Sequence, residues 1–100
     1  MGLYAIICTD DPHHGLKRRK AARAQHLAWL DGLGDALVMA GPFTDEAGTP
    51  TGSLIVITTG SLKEAEAIAA QDPYGHNGVF EKVEVRPWKW LLKRPDGLPE

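Results

Sequence analysis

Short apolar runs alternate with longer segments of mixed polarity, and this pattern predicts six secondary-structure elements. Runs of about four to eight apolar residues rich in β-branched side chains are typical of strands, whereas apolar residues three and four apart are typical of amphipathic helices. The four predicted strands span residues 3–9, 36–40, 53–58 and 79–89. The two predicted helices span residues 16–34 and a segment from Ser61 to about Asp72. The predicted order is therefore β-α-β-β-α-β.

This order predicts an α+β ferredoxin-like fold, in which a four-stranded antiparallel sheet carries both helices on one face. The first and third predicted strands are apolar on both faces, yet the helices cover only one face of such a sheet. A large exposed apolar face marks an interaction surface. We therefore expect a homodimer with two-fold symmetry that buries sheet against sheet.

The first predicted helix carries three ionisable residues on the side expected to face the sheet. Its leucines gather on one arc, Leu27 and Leu30 among them, and the three ionisable residues fall inside that arc. They are Arg19, Arg23 and His26. Burying such groups is costly unless they are paired or take part in function. We therefore predict that these side chains line a pocket.

A carboxylate at the end of the second predicted helix is a candidate partner for His26. Asp72 lies four residues after Ile68, which marks the apolar face of that helix, and residues at this spacing share a face. Because both helices lie on one sheet, Asp72 is expected to approach His26. A carboxylate facing an imidazole fixes its tautomer and raises its basicity, and such a pair suits proton abstraction or elimination. Arg19 and Arg23 are then candidates for holding a carboxylate or phenolate substrate.

Structural interpretations of these residues compete with the catalytic one. His26 and Asp72 suit a buried hydrogen-bonded pair without chemistry, and Asp72 before Pro73 also suits a simple helix stop. Arg23 is an alternative partner for Asp72. For Arg19 the favoured interpretation is a rim residue whose stem lies on the protein while its guanidinium reaches solvent.

Two adjacent histidines, His13 and His14, follow two acidic residues in the turn after the first predicted strand. This grouping suggests a metal site, but metal ligands converge from several elements. We therefore interpret the turn as a solvated loop and predict no metal site. The chain also has no paired cysteines, no Walker or Rossmann glycine-rich loop and no G-x-S-x-G elbow, so no cofactor is predicted.

Composition and charge limit the class of protein. The 100 residues carry a net charge of −2, and 43% are hydrophobic, which is typical of one globular domain that binds neither nucleic acid nor membrane. We assign the domain to residues 1–92 and predict a flexible tail at residues 93–100. No apolar run reaches the ~20 residues that a transmembrane helix needs. The lone Cys8 forms no internal disulfide and no signal peptide is evident, so we expect a cytoplasmic protein.

Five short motifs, in order along most of the chain, resemble those of the YciI-like (YCII) family. They are RAQHL at residues 23–27, AGP at 40–42, GS at 52–53, DPY at 72–74 and VEVRPW at 83–88. Each motif is short, but their order and spacing together are specific. The chain is therefore identified by resemblance as a member of this family.

The resemblance implies a ferredoxin-like fold that dimerises as an α/β barrel. It also implies a His–Asp dyad in a pocket, which carries over onto His26 and Asp72. The dyad of this family is associated with cofactor-free chemistry, including elimination of chloride from chlorinated hydroxyquinones. Ser53, Gly41 and Pro42 are expected to line the same pocket. Tyr74, which ends the DPY motif, joins them as a substrate-binding candidate.

Two functional hypotheses follow from these residues. In the first, the protein is a small cofactor-independent enzyme in which His26 is the general base, Asp72 orients it and Arg23 holds an anionic substrate. In the second, the protein is a dimer that binds a small molecule without turnover. Both hypotheses use the same groups, so the sequence leaves both open.

Overall fold

The computed structural model describes residues 1–98, which form one four-stranded antiparallel sheet with helices packed on it. The strands are β1 (Gly2–Asp10), β2 (Leu37–Thr44), β3 (Pro50–Thr59) and β4 (Phe80–Trp88). The helices are α1 (Gly15–Gly32), α2 (Leu62–Ala69) and the single-turn α3 (Pro73–His76), and a 3-10 turn at Gly34–Ala36 follows α1. The strand order is β2-β3-β1-β4, so the predicted ferredoxin-like α+β fold is confirmed.

The hydrophobic core lies between the sheet and the helices. Residues directly opposite each other on paired strands point to the same face, and Ile6 of β1 lies opposite Ile55 of β3 and Val85 of β4. Ile6 and Ile55 are each 1% exposed, and Ala65 of α2 packs in the same cluster at 0%. Cys8 lies opposite Ser53 on this face, which brings polar groups of the central strands beneath the helices.

The opposite face of the sheet carries several exposed apolar side chains. The register places Leu3 opposite Trp88 and Met39 opposite Val56, all on the face turned away from the helices. Met39 and Trp88 are 36% and 41% exposed, and Phe43 on the same face is 42% exposed. Leu3 and Val56 of the central strands are already buried, at 5% and 2% exposed. The exposed apolar side chains of this face therefore lie on the edge strands β2 and β4 and not on the first and third strands, as the sequence had indicated.

The hairpin between β2 and β3 is tighter than the sequence indicated. The strand predicted to stop before Gly41 and Pro42 continues through both residues to Thr44, because β2 is an edge strand and an edge strand accommodates a proline. The connection between the strands predicted at residues 36–40 and 53–58 thereby shortens to residues 45–49. There the Asp45 side chain accepts hydrogen bonds from two backbone N–H groups of the loop, at 2.9 and 3.0 Å.

The start of α2 is fixed by hydrogen bonds to the side chains of Ser61 and Glu64. Ser61 is the N-cap, and its hydroxyl accepts a hydrogen bond from the Glu64 backbone N–H at 3.1 Å. The Glu64 carboxylate turns back to accept from the Gly60 N–H at 3.1 Å and from the Thr59 hydroxyl at 2.9 Å. The helix ends at Ala69, earlier than the proline alone indicated.

The buried stripe of α1 is not formed by its leucines. Leu16 and Leu27, which the sequence placed on the buried arc, are 37% and 47% exposed. The buried residues of α1 are Gly15, Arg19, Ala22 and His26, spaced four, three and four residues apart. Residues at this spacing lie on one helix face, so α1 packs with Arg19 and His26 on its most buried line.

The part of the chain after β4 contains no helix or strand as far as residue 98. The flexible tail assigned to residues 93–100 stays a prediction, and its last two residues lie outside the described range. Among residues 1–98, no helix is both long enough and apolar enough to cross a membrane.

Candidate functional site

His26 and Asp72 form a buried pair. The Nδ1 atom of His26 lies 2.7 Å from the Oδ1 atom of Asp72, and the two residues are 7% and 2% exposed. A carboxylate only accepts hydrogen bonds, so Nδ1 carries the proton and Nε2 of the neutral ring is left as an acceptor. The predicted approach of the two side chains is confirmed.

Asp72 reaches His26 by a route that the sequence reasoning missed. It does not lie on the face of α2, because α2 ends at Ala69, and it is instead the N-cap of α3. Its Oδ1 atom accepts a second hydrogen bond from the Tyr74 backbone N–H at 2.9 Å. Its Oδ2 atom is buried and has no hydrogen-bond partner within residues 1–98. The short helix therefore fixes the carboxylate that faces His26.

Tyr74 holds the plane of the imidazole. Its ring is 2% exposed and stacks on the His26 ring with 3.7 Å between centroids and 7° between planes. The Arg19 guanidinium carbon lies over the same tyrosine ring, 4.7 Å from its centroid. Tyr74 thus touches both ionisable residues on the buried line of α1.

Arg19 is buried and paired, so its interpretation as a solvent-facing rim residue is wrong. Its Nε and Nη2 atoms donate to the two carboxylate oxygens of Asp10 at 3.0 and 2.8 Å, and Nη2 also donates to Ser53 Oγ at 3.0 Å. Burial by itself lowers the pKa of the Arg19 guanidinium, but the hydrogen bonds and charge of Asp10 outweigh burial and raise the pKa. Arg19 is 8% exposed and remains charged.

Two glycines allow this network to form. A Cβ atom on Gly15 would lie 2.8 Å from the Asp10 Cβ, so the start of α1 approaches Asp10 only because residue 15 has no side chain. A Cβ atom on Gly52 would lie 2.3 Å from the Cys8 carbonyl oxygen, which is closer than packed atoms come. Gly52 therefore lets β3 lie against β1 at the point where Ser53 meets Arg19.

A cavity of about 190 Å³ lies between α1 and strands β2 and β3. Its walls include every site residue predicted from the sequence except Asp72, which contacts His26 from the buried side. These wall residues are Arg19, Arg23, His26, Gly41, Pro42, Ser53 and Tyr74. Apolar side chains of Leu27, Leu30 and Ile55 complete much of the wall.

Arg23 was considered from the sequence as an alternative partner for Asp72. The exposed Arg23 forms no ion pair with Asp72, so that alternative is wrong.

The sequence and the fold both match known proteins. A family model described as the YCII-related domain matches residues 2–89. The chain belongs to this family. It is 37% identical over 92 residues to Protein YciI of Escherichia coli, covering 84% of this chain and 94% of that protein. It is also 38% identical over 96 residues to an uncharacterized protein of Haemophilus influenzae, covering 87% of this chain and 97% of that protein.

Among solved structures, the chain is similar to that of a dehydrochlorinase. This structure is the 5-chloro-2-hydroxyhydroquinone dehydrochlorinase TftG from Burkholderia phenoliruptrix AC1100, in complex with 2,5-dihydroxybenzoquinone. It is 28% identical to the present chain with a TM-score of 0.76, and the match covers 87% of this chain and 93% of that one. The YCII fold of this chain thus has the same overall arrangement as that protein.

Asp10 contacts the candidate site through Arg19 and was not predicted from the sequence. It ends β1 and is 7% exposed, and its pairing with Arg19 is the basis for the position of the guanidinium. One signal was available: an arginine on a buried helix line needs a carboxylate partner, and Asp10 directly follows the apolar run of β1. The sequence analysis instead grouped it with the neighbouring turn.

The remaining candidate groups stand apart from the cavity. His13 and His14 are exposed, and their backbone N–H groups donate to the Asp11 carboxylate, which lowers the pKa of that carboxyl. Within residues 1–98, no three His, Cys, Asp or Glu side chains cluster as a metal site would require. Burial raises the pKa of the Cys8 thiol to about 12, and the negative charge of Asp72 acts in the same direction. We therefore assign Cys8 no nucleophilic role.

Proposed function

We propose that this protein is a small cofactor-independent enzyme in which His26 and Asp72 carry out general acid/base chemistry on a single-ring hydroxylated aromatic substrate. The observation that carries the proposal is the orientation of His26. Its Nδ1 is bound to the buried Asp72 at 2.7 Å, while the ring forms part of the cavity wall. Nε2 is then available to take a proton from a molecule in the cavity.

The chemistry proposed is elimination. The substrate first tautomerises: the proton of the hydroxyl next to chlorine moves to the chlorine-bearing ring carbon, and that hydroxyl becomes a carbonyl. His26 Nε2 then removes the proton of the hydroxyl across the ring, whose electron pair forms a second carbonyl. The ring double bond shifts, and chloride departs with the electrons of its bond to carbon. Asp72 offsets the positive charge that the imidazole gains, which is the role of an orienting carboxylate. The net change is loss of hydrogen chloride, the reaction class that the name of the similar protein TftG describes.

The size and charge of the cavity support this substrate class. At about 190 Å³ it is smaller than the ~300–1,000 Å³ of sites for drug-sized ligands, so it suits one ring. The exposed guanidinium of Arg23 lines it and forms no ion pair within residues 1–98. We propose that Arg23 holds an ionised oxygen of the substrate.

The test is chloride release from 5-chloro-2-hydroxyhydroquinone, measured without oxygen so that the hydroquinone is not oxidised. Wild-type protein is expected to release chloride well above the rate in buffer. Binding of 2,5-dihydroxybenzoquinone without any chloride release would contradict the elimination and favour the alternative, a dimer that binds a small molecule without turnover. The expectation that the protein is cytoplasmic, which is based on the lone Cys8, also stays a prediction.

We further propose that two copies pack through their sheets as a dimeric α/β barrel. The exposed Met39, Phe43 and Trp88 on the face away from the helices support this proposal. We expect light scattering at micromolar concentration to give about twice the protomer mass of 10.9 kDa, and Phe43→Glu to shift the protein toward monomer. Leu62→Glu is the matched control, since Leu62 is 39% exposed but lies on α2. A wild-type monomer at that concentration would rule the dimer out.

A further inference from the structure

The hydroxyl proton of Ser53 has no acceptor within residues 1–98. The Ser53 Oγ atom accepts a hydrogen bond from Arg19 Nη2 at 3.0 Å, and the residue is 3% exposed. A serine hydroxyl has one proton to donate and two lone pairs to accept with. Because a guanidinium only donates, it occupies a lone pair and leaves the proton free. The oxygen of Ser53 thus has a partner within the protein, and its proton is available to an acceptor in a bound molecule.

The surroundings of Ser53 indicate what can accept that proton. Ser53 forms part of the wall of the 190 Å³ cavity, on the side opposite α1. Arg19 holds the oxygen from one direction and is itself fixed by two hydrogen bonds to Asp10 at 2.8 and 3.0 Å. Arg19 thus occupies one of the two lone pairs of the hydroxyl. The proton has no acceptor within residues 1–98, so an ionised oxygen in the cavity can accept it while the Arg19 contact is kept.

We propose that Ser53 donates its hydroxyl proton to an ionised oxygen of the cavity's ligand, and that Asp10 and Arg19 are positioning residues that hold Ser53 in this donor state. The inference rests on the function proposed above and specifies its substrate class. The ligand is a small ring that presents an acidic proton to His26 and a phenolate or enolate oxygen to Ser53. Asp10 offsets the positive charge of Arg19, so these two residues and Ser53 together provide a hydrogen-bond donor without a net charge. Arg23 provides the positive charge that attracts the ionised oxygen of the ligand.

The experiment measures binding of 2,5-dihydroxybenzoquinone by titration calorimetry. A hydrogen bond to a charged oxygen is a strong one, so Ser53→Ala is expected to raise Kd about tenfold to a hundredfold. Ser53→Thr, which keeps the hydroxyl, is expected to recover most of the affinity. Thr58→Ala is the matched control: it removes a hydroxyl from the same strand on the face away from the cavity, and its Kd should equal that of wild type.

A double-mutant cycle tests the positioning role of Asp10. If Asp10 acts through Ser53, Asp10→Asn raises Kd in the wild-type background but adds little in the Ser53→Ala background, because interacting residues are not additive. A role in stability alone would lower the melting temperature in both backgrounds without this difference in Kd. Full additivity of the two Kd changes would overturn the positioning role.

The outcomes separate this inference from the proposed function. If Ser53→Ala binds the quinone as tightly as wild type while chloride release persists, the Ser53 inference is wrong and the enzyme proposal stands. If Ser53→Ala weakens binding but wild type releases no chloride, the donor role stands and the elimination is wrong. A wild-type protein that does not bind the quinone overturns the donor role for this ligand class.

Discussion

Replacing His26 with alanine is expected to lower the rate of chloride release from 5-chloro-2-hydroxyhydroquinone by about 10²–10⁴-fold, the usual contribution of a positioned general base. The reason is that Asp72 binds Nδ1 of His26 at 2.7 Å, which leaves Nε2 of a residue in the cavity wall as the free acceptor. The effect should fall on kcat, because Arg23 and the apolar walls of the cavity remain to bind the substrate. Chloride release at saturating substrate measures it.

The control for this prediction is His13→Ala, since His13 is exposed in the turn before α1 and lies outside the cavity wall. Its kcat should match wild type. Circular dichroism and a melting curve on both variants establish that each is folded. A folded His26→Ala protein that keeps kcat within about threefold of wild type would show that His26 is not the base.

Replacing Asp10 with alanine is expected to lower the free energy of unfolding by about 3–5 kcal/mol, because it leaves the Arg19 guanidinium buried without its carboxylate. Arg19 is 8% exposed and donates two of its three hydrogen bonds to Asp10. Such a loss is a large fraction of the ~5–15 kcal/mol that stabilises a typical domain. Urea unfolding followed by tryptophan fluorescence measures it.

Two variants check the cause of that loss. Glu46→Ala removes an acidic residue from the exposed β2–β3 loop, and a change within about 0.5 kcal/mol is expected there. Adding Arg19→Met to Asp10→Ala removes the unpaired charge, so the double variant should recover part of the stability lost. An Asp10→Ala protein as stable as wild type would contradict the account of Arg19 as a charge that depends on Asp10.

The order of elements was predictable because it depends on local pattern. The spacing of apolar residues along neighbouring positions distinguishes strands from helices. The order β-α-β-β-α-β then brings the two helices to one face of the sheet. The DPY motif also marked the right carboxylate. Asp72 was nonetheless predicted on the wrong element. It does not lie on α2 but caps a separate short helix, whose start depends on how Pro73 and Tyr74 pack.

The position of Arg19 was not predictable from the helix alone. Whether a long cationic side chain runs to solvent or turns inward depends on its partner, and the partner here is at the end of a strand nine residues earlier. The two glycines that make room for the network act through backbone distances that appear only in the folded chain. Similarly, β2 continues through Gly41 and Pro42 because pairing with β3 extends it. The low strand propensity of glycine and proline gives no sign of this extension.

The Oδ1 atom of Asp72 has two tasks, since it both caps the start of α3 and binds the imidazole of His26. A substitution at this position therefore removes both the cap of α3 and the hydrogen-bond partner of His26. Asparagine keeps an oxygen for the Tyr74 N–H, but its amide can turn a donor toward His26 and change which ring nitrogen carries the proton. A change of chemistry at position 72 therefore also disturbs the start of α3. Substitutions on the wall of the cavity formed by β2 and β3 are the ones expected to change ligand preference while the His26–Asp72 contact stays intact.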